Sequence, residues 1–345
     1  MNLRSQIAAV GVLATAAGLL TACGSSSPSA SSSTGGYGAI SVQLSWIKNS
    51  EFSGEFIADS KGYYKAAGFS SVNLLSGPVA QEQVVATGQA QFGLSDAIST
   101  GAAISKSNFP IKIVGAAYQK NPFTILSLAD KGNILKPSDL CGKRIGVQAP
   151  NTALFNALVA ANNLTCSITI VPNDFSTAPL EDKQIDGLVA YQTNEALLVK
   201  DDGFKTANLP FATNGLPFVA EAVITTDEMI KDHPDEVKAF LKAEILGWKA
   251  ACADPTAGPK LAVGTYGKDI KPALILAKEI EQSKEQCTAL INDADTKANG
   301  LFTITPALIA ASVNSLKVAK IPVAADQLFD MSLIADLYKQ DPSLK

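Results

Sequence analysis

The sequence is poor in the side chains that most catalytic and metal sites use. It has a single histidine, His233, and five cysteines in 345 residues, with no Cys-x-x-Cys pair. A zinc site, a thioredoxin-like dithiol and a cysteine–histidine nucleophile each need a combination that is missing here. We therefore expect no metal, no cofactor and no catalytic residue.

Positive charge is nearly balanced by negative charge and is not concentrated in any segment. The chain has 28 lysines and arginines against 32 aspartates and glutamates, a formal net charge of -4, and no strongly basic block. Nucleic acids and anionic membrane surfaces attract clustered basic residues. Neither is expected as a partner, and the protein is expected to be a monomer.

A long apolar run occurs only near the N-terminus. Residues 1–20 carry one positive charge, at Arg4, and then the run AAVGVLATAAGLL. This run is too short and too rich in small residues to span a bilayer permanently. The pattern predicts a secretory signal at residues 1–22.

The residues that follow predict how the exported protein is attached to the membrane. LLTAC resembles the bacterial lipobox, in which the signal is cut before the cysteine and the cysteine thiol is diacylated. The resemblance implies that Cys23 anchors the protein to the outer face of the bacterial cell membrane. Residues 23–38, rich in serine and glycine, then form a flexible tether. An ordinary signal peptide ahead of a chance cysteine is the alternative.

The other four cysteines are an even number in an exported chain, which predicts disulfides. They are Cys141, Cys166, Cys252 and Cys287. Three pairings are possible. Spacing within apparent structural units favours Cys141 with Cys166 and Cys252 with Cys287.

From Ala39 onward, strand-like and helix-like segments alternate, which predicts α/β lobes with parallel or mixed sheets. Roughly 300 residues follow the tether, enough for two domains with sizeable cores. We expect a first lobe at residues 39–122 and 222–345, and a second at 123–221. Two strands would connect the lobes, NPFTILSLA near Phe123 and LPFVAEAVIT near Phe218, and would provide a hinge.

Two similar stretches occur at corresponding places in the predicted lobes. QFGLSDA and IDGLVAY each close a helix-then-strand unit, and each is followed by polar or aromatic residues. Ligands of open α/β sheets bind at the carboxyl ends of the strands. The stretches therefore predict a ligand site at these two edges, unless their likeness is accidental.

Two longer segments resemble a known family. SWIKNSEFSGEFIADSKGYYKAAGF resembles the opening of the NMT1/THI5-like solute-binding proteins, and TTDEMIKDHPDEVKAFLKAEILGWKAACADP is similar to a later segment of that family. The family includes binding proteins for aliphatic sulfonates, nitrate, thiamine pyrimidine precursors and riboflavin. The resemblance implies a periplasmic-binding-protein fold of type II. Two α/β lobes joined by two crossover strands would then close on a small molecule and deliver it to an ABC permease.

Trp46 and Tyr191, expected on opposite lobes, are the candidates for stacking against a flat ring. Glu195 lies four residues after Tyr191, on the same side of a helix, and its carboxylate can only accept hydrogen bonds. In family members that bind pyrimidine precursors, a tyrosine and a glutamate spaced in this way contact the aminopyrimidine ring. The resemblance therefore implies a nitrogen heterocycle, with riboflavin as the closest rival. The structural alternative for Glu195 is a carboxylate favoured at a helix start.

An anionic ligand such as a sulfonate, taurine or nitrate is the other alternative. Asn151 and Thr152 stand at a predicted helix start, where backbone N–H groups can bind an anion. Lys48 would favour an anion if it faced the cleft, although a lysine after a strand more often points to solvent. Glu195 would repel an anion in the same cleft.

The remaining candidates each have a structural alternative. Asp96 either caps the next helix or faces the cleft, and Phe52 either joins the core or forms a wall of the cleft. Gln119 lies on the first crossover. Asn49, Asn194 and Phe218 complete the predicted ligand-binding set.

Two other classes of function remain. The superfamily includes a fungal pyrimidine synthase that uses a histidine, a cysteine-rich segment and pyridoxal phosphate as a consumed substrate. His233 precedes a predicted helix, where a solvated structural role is expected, so we expect a binding protein and not an enzyme. A purely structural lipoprotein is the third class, but it would not need Trp46, Tyr191 and Glu195 to converge.

Overall fold

Two five-stranded mixed sheets form the framework of the computed structural model, which describes residues 36–345. The predicted signal, Cys23 and most of the tether lie outside these residues. The strands are β1 (Tyr37–Gln43), β2 (Phe69–Leu75), β3 (Phe92–Ser95), β4 (Ile111–Tyr118), β5 (Phe123–Leu128), β6 (Arg144–Gln148), β7 (Thr169–Asn173), β8 (Gly187–Tyr191), β9 (Thr206–Pro210) and β10 (Ala220–Thr226).

Helices cover both sheets. The α-helices are α1 (Ser53–Ser60), α2 (Tyr63–Ala66), α3 (Gln81–Ala86), α4 (Ala97–Ser107), α5 (Thr152–Ala161), α6 (Ala178–Glu181), α7 (Glu195–Asp201), α8 (Asp227–Asp232), α9 (Pro234–Ala253), α10 (Ala257–Leu261), α11 (Leu276–Gln286), α12 (Ala294–Asn299), α13 (Pro306–Val318), α14 (Ala325–Leu328) and α15 (Ser332–Gln340). Short 3-10 turns occur at Ser50–Phe52, Pro137–Leu140, Ala149–Asn151 and Pro342–Leu344, and π-helical turns at Ala262–Tyr266 and Cys287–Ile291. Among the described residues, no helix is both long and apolar enough to cross a membrane.

The two sheets have the same plan. The strand order is β2-β1-β3-β10-β4 in the first sheet and β7-β6-β8-β5-β9 in the second. β3 lies between parallel β1 and antiparallel β10, as β8 lies between parallel β6 and antiparallel β5. The similar stretches FGLS and GLVAY are therefore the third strand of each sheet. Their likeness reflects equivalent places in the two lobes.

Two details at the start of the chain differ from the sequence prediction. β1 begins at Tyr37, inside the segment predicted as tether. The segment EFSGEFIADSKGYYKAAG, whose apolar spacing predicts a single helix, is instead a 3-10 turn followed by α1 and α2. Gly62 separates α1 from α2 with a φ of 73°, a left-handed conformation that glycine adopts without steric cost and that ends helices.

The two cystines join Cys141 to Cys166 and Cys252 to Cys287. These are the pairings that the spacing favoured. The first closes a sequence separation of 25 residues in the second lobe, and the second a separation of 35 residues between α9 and the end of α11. Both restrict the unfolded chain more than the folded one, which stabilises the fold.

Helices α1 and α9 cross at a point where two glycines meet. The spacing of apolar residues in PDEVKAFLKAEILGWKAACADP predicts that Val237, Phe240 and Trp248 share one buried face of α9, and all three are fully buried. A Cβ added at Gly247 would overlap the carbonyl oxygen of Gly54, and one added at Gly54 would overlap the indole ring of Trp248. The glycine of the LGW segment is therefore required by close backbone approach, and that of the SGEF segment by the indole ring packed against it.

The same helix crossing contains a buried pair of acids. Trp248 Nε1 donates to Glu55 at 3.2 Å, and the hydroxyl of Tyr64 donates to Glu244. Each of the two buried carboxyl groups influences the pKa of the other. Burial raises the pKa of Glu55 to about 7 and the pKa of Glu244 well above its usual range. The pair therefore retains a proton near neutral pH.

Replacing Gly247 by alanine should lower the free energy of unfolding by about 2 kcal/mol, because the added methyl group overpacks the crossing. Chemical denaturation measures this loss. Gly264→Ala is the matched control, since a Cβ there meets no atom within 4 Å. Equal stability of the wild type and Gly247→Ala would contradict this account of the crossing.

The Glu55–Glu244 pair should make the fold more stable in mild acid than in mild alkali. Because the folded pKa of Glu55 is about 7 against a reference of 4.5, its contribution is complete below about 4.5 and is lost as the pH rises through about 7. Glu244→Gln should flatten this part of the profile of unfolding free energy against pH. The exposed Glu228→Gln is the control, and an equal slope in both variants would contradict the assignment.

Candidate functional site

A cavity of about 140 Å³ lies where the carboxyl ends of strands from both sheets face each other. Ser45 and Trp46 follow β1, Asp96 follows β3, and Gln148 and Tyr191 end β6 and β8. The complete lining is Ser45, Trp46, Glu51, Pro78, Val79, Gln81, Ser95, Asp96, Ser99, Phe123, Gln148, Pro150, Asn151, Phe175, Val189, Ala190, Tyr191, Asn194, Glu195 and Glu221. The topology thus places the cavity at the sheet edges where the sequence predicted a ligand site.

Aromatic rings form part of the wall. The Trp46 ring contacts that of Phe175, which follows β7, with ring centroids 4.7 Å apart and planes at 58°. Tyr191 packs edge-on against Phe123 with centroids 4.6 Å apart. Trp46 and Tyr191 therefore line the same cavity, each with an aromatic neighbour. Phe175 was not foreseen from the sequence.

Glu195 is the first residue of α7 and is buried at the cavity. Its carboxylate accepts from the backbone N–H of Tyr191 at 2.8 Å and from the side-chain amide of Asn194 at 3.3 Å. Burial raises its pKa above the usual range. The carboxylate therefore holds the β8–α7 turn in shape, and its contact with a ligand stays a prediction.

Asp96 has the capping role that was one of its two predicted alternatives. It accepts from the backbone N–H groups of Ile98 at 2.7 Å and Ser99 at 2.9 Å, and from the Ser99 hydroxyl at 2.7 Å. These bonds fix the start of α4. Asp96 also lines the cavity, but its oxygens are already engaged.

Five residues of the predicted ligand-binding set do not line the cavity: Asn49, Phe52, Gln119, Thr152 and Phe218. Phe52 and Phe218 are fully buried in the hydrophobic cores. Asn49 caps the 3-10 turn by accepting from the N–H of Glu51, and the Gln119 amide donates to the carbonyl of Ala116. Thr152 begins α5 behind Asn151. Lys48 is not part of the lining either.

The sequence prediction missed a pair of acids, Glu51 and Glu221. The Ser45 hydroxyl donates to the Glu221 carboxylate at 2.9 Å, and the carboxyl groups of Glu51 and Glu221 both line the cavity and influence each other's pKa. Burial, with the neighbouring acids adding to it, raises the pKa of Glu221 to about 8 and that of Glu51 well above its usual range. A glutamate inside the apolar strand VAEAVIT was the available signal.

The ionisable side chains of the cavity, apart from the Tyr191 phenol, are all carboxylic acids. Four carboxyl groups line it, those of Glu51, Asp96, Glu195 and Glu221, and none of the lining residues is a lysine, arginine or histidine. Electrostatic interactions strengthen where water is excluded. Such a cavity disfavours anions and favours a ligand that brings hydrogen-bond donors or positive charge.

Two curated proteins are similar to this chain along part of its length. A riboflavin-binding protein from Chloroflexus aurantiacus is 25% identical over 226 residues, which is 63% of this chain and 63% of that protein. A 4-amino-5-hydroxymethyl-2-methylpyrimidine phosphate synthase from Uromyces fabae is 25% identical over 239 residues, 63% of this chain and 67% of that protein. The match thus leaves about a third of each relative uncovered.

Solved structures share the fold at lower identity. A ligand-binding component of an ABC-type import system from Staphylococcus aureus aligns with a TM-score of 0.62 and 13% identity, covering 86% of this chain and 98% of that one. Other solved binding proteins align comparably. The fold is therefore the type II periplasmic-binding-protein fold.

The family model described as NMT1/THI5 like matches residues 49–258, more than half of the chain. The match includes α1 and α9, whose glycine crossing lies in the two segments that carried the resemblance. The chain therefore belongs to the NMT1/THI5-like family.

Proposed function

We propose that this protein is the exported solute-binding lipoprotein of an ABC importer and that it binds a small nitrogen heterocycle. A thiamine pyrimidine precursor of the hydroxymethylpyrimidine or formylaminopyrimidine type fits best. The observation that carries the proposal is the cavity itself, which combines aromatic walls with four carboxyl groups and has no cationic side chain. The family assignment, and the likeness to a component of an ABC-type import system, support the transport role.

The size of the cavity favours a single ring. An engineered protein cavity of about 150 Å³ holds benzene, and the volume here is about 140 Å³. Trp46, Phe175 and Tyr191 offer ring faces and edges, each contact contributing about 0.5–1.5 kcal/mol beyond area burial. Amino groups on the ring would donate to the carboxylates. Riboflavin, named for one relative, is the second candidate, although its three fused rings need more room.

Anions fit the cavity less well. A sulfonate or nitrate ion needs N–H donors or cations. Asn151 is present, but the α5 start is accompanied by Glu195 and the other acids of the lining. Desolvation of an anion beside these groups is unfavourable.

Binding without conversion is part of the proposal. One relative is named as a synthase, so the alternative is an enzyme that transforms the pyrimidine. Analysis of the ligand recovered after prolonged incubation separates the two, because a binding protein returns it unchanged. The lipid anchor at Cys23 and the permease partner complete the proposal and rest on the N-terminal segment and the family.

Calorimetric titration of the purified protein tests the ligand class. We expect 4-amino-5-hydroxymethyl-2-methylpyrimidine to bind more tightly than riboflavin, taurine or nitrate. Glu195→Gln should weaken pyrimidine binding about tenfold or more, since hydrogen bonds to a buried charged group contribute about 1.5–3 kcal/mol. Glutamine can still accept from the Tyr191 N–H, so the turn should persist.

Glu285→Gln, an exposed change on α11, is the matched control and should leave the affinity unchanged. The same variants should bind taurine and nitrate no worse than the wild type does. Tighter binding of an anion by the wild type than by Glu195→Gln would overturn the heterocycle proposal.

A further inference from the structure

The four carboxyl groups of the cavity differ in how many protein donors they receive. Asp96 accepts from two backbone N–H groups, and Glu195 from one backbone N–H and one amide. Glu221 receives only the Ser45 hydroxyl, and Glu51 receives no N–H from any residue in the described range 36–345. The hydrogen-bonding capacity left for a ligand is therefore concentrated at Glu51 and Glu221.

Burial makes this arrangement costly for the protein alone. Glu51 and Glu221 are each 2% exposed, and a buried carboxylate without donors or a cation is unfavourable. Glu221 also has a φ of 40°, a left-handed conformation that is strained for a residue with a side chain. A buried, strained and poorly satisfied acid at the edge of a ligand cavity indicates a role in binding.

We propose that Glu51 and Glu221 form a second recognition subsite that takes a protonated amine carried by the ring. Glu195 lies on the second lobe and this pair lies on the first, so the ligand would present a flat ring to the aromatic wall and an ammonium group to the pair. The inference rests on the proposed function and adds that, among single-ring heterocycles, those carrying a protonated amine bind most tightly. An ammonium group has three N–H donors, which match two carboxylates better than a hydroxyl does.

The pair also predicts that a proton is released when the ligand binds. Glu55, Asp96 and Glu195 lie near enough to raise the pKa values of the pair further, and burial together with the charges of the pair raises the pKa values of Tyr118 and Tyr191. Without ligand the two carboxyl groups retain at least one proton at neutral pH. A bound ammonium group replaces that proton, which passes to the buffer, and no covalent bond forms or breaks.

Two probes of nearly equal shape test the subsite. 4-Amino-5-aminomethyl-2-methylpyrimidine has a basic amine where 4-amino-5-hydroxymethyl-2-methylpyrimidine has a hydroxyl. At pH 6.5 the amine should bind the wild-type protein at least tenfold more tightly, because charge-assisted hydrogen bonds replace neutral ones. Titration in two buffers of different ionisation enthalpy should show protons released on binding the amine and fewer on binding the alcohol.

Glu221→Gln should reduce the tenfold preference for the amine to below threefold, and Ser45→Ala should alter it less. Glu285→Gln again serves as the control. Equal affinities of the two probes for the wild type, or amine binding without proton release, would overturn the subsite and leave the proposed function standing. Failure of both pyrimidines to bind would contradict the proposed function and this inference together. The wild-type measurements test the subsite even if a variant folds poorly.

Discussion

Buried carboxyl groups without a neighbouring protein cation are the constraint on which this site depends. The first turns of the chain after Trp46 carry two such acids one helical turn apart, Glu51 and Glu55. Glu55 lies in the core, where the Trp248 indole donates to it, whereas Glu51 lines the cavity together with Glu221. The same segment therefore places one acid in the core, beside a protein donor, and the other at the ligand cavity. Its placement depends on the crossing of α1 and α9.

Helix α11 holds the segment around Ser50 and Glu51 in place through hydrogen bonds. Glu279 on α11 accepts from the Ser50 N–H at 2.6 Å, and Gln286 donates to the Ser50 carbonyl at 2.8 Å. α11 also meets α7, the helix that begins with Glu195, through the ion pair of Lys200 and Glu281. That pair is exposed and contributes at most about 1 kcal/mol. The buried bonds to Ser50 therefore position Glu51, and the surface pair adds little.

Patterns of alternation predicted much of the fold, because strand and helix periods repeat over many residues. The alternating pattern predicts a strand at Arg144–Gln148, which is β6, and the apolar spacing predicts the buried face of α9. The location of single residues at the ends of helices and strands was harder to predict, because an apolar side chain there can pack in the core or line the cavity equally well. For this reason Phe52 and Phe218 were included in the predicted ligand-binding set, whereas the structure places both in the core. Glu221 was missed because its position in an apolar strand gives no sign of which sheet edge it faces.

The aromatic wall suggests how the site opens. Trp46 follows β1 of the first sheet and Phe175 follows β7 of the second, so their contact bridges the two lobes. One such contact contributes only about 0.5–1.5 kcal/mol beyond area burial, which a hinge motion overcomes readily. A ligand that contacts both lobes binds the closed arrangement better than the open one, and this differential affinity shifts the equilibrium toward closure. In the proposed complex the ligand contacts Glu195 on one lobe and Glu51 and Glu221 on the other, which makes closure depend on the ligand.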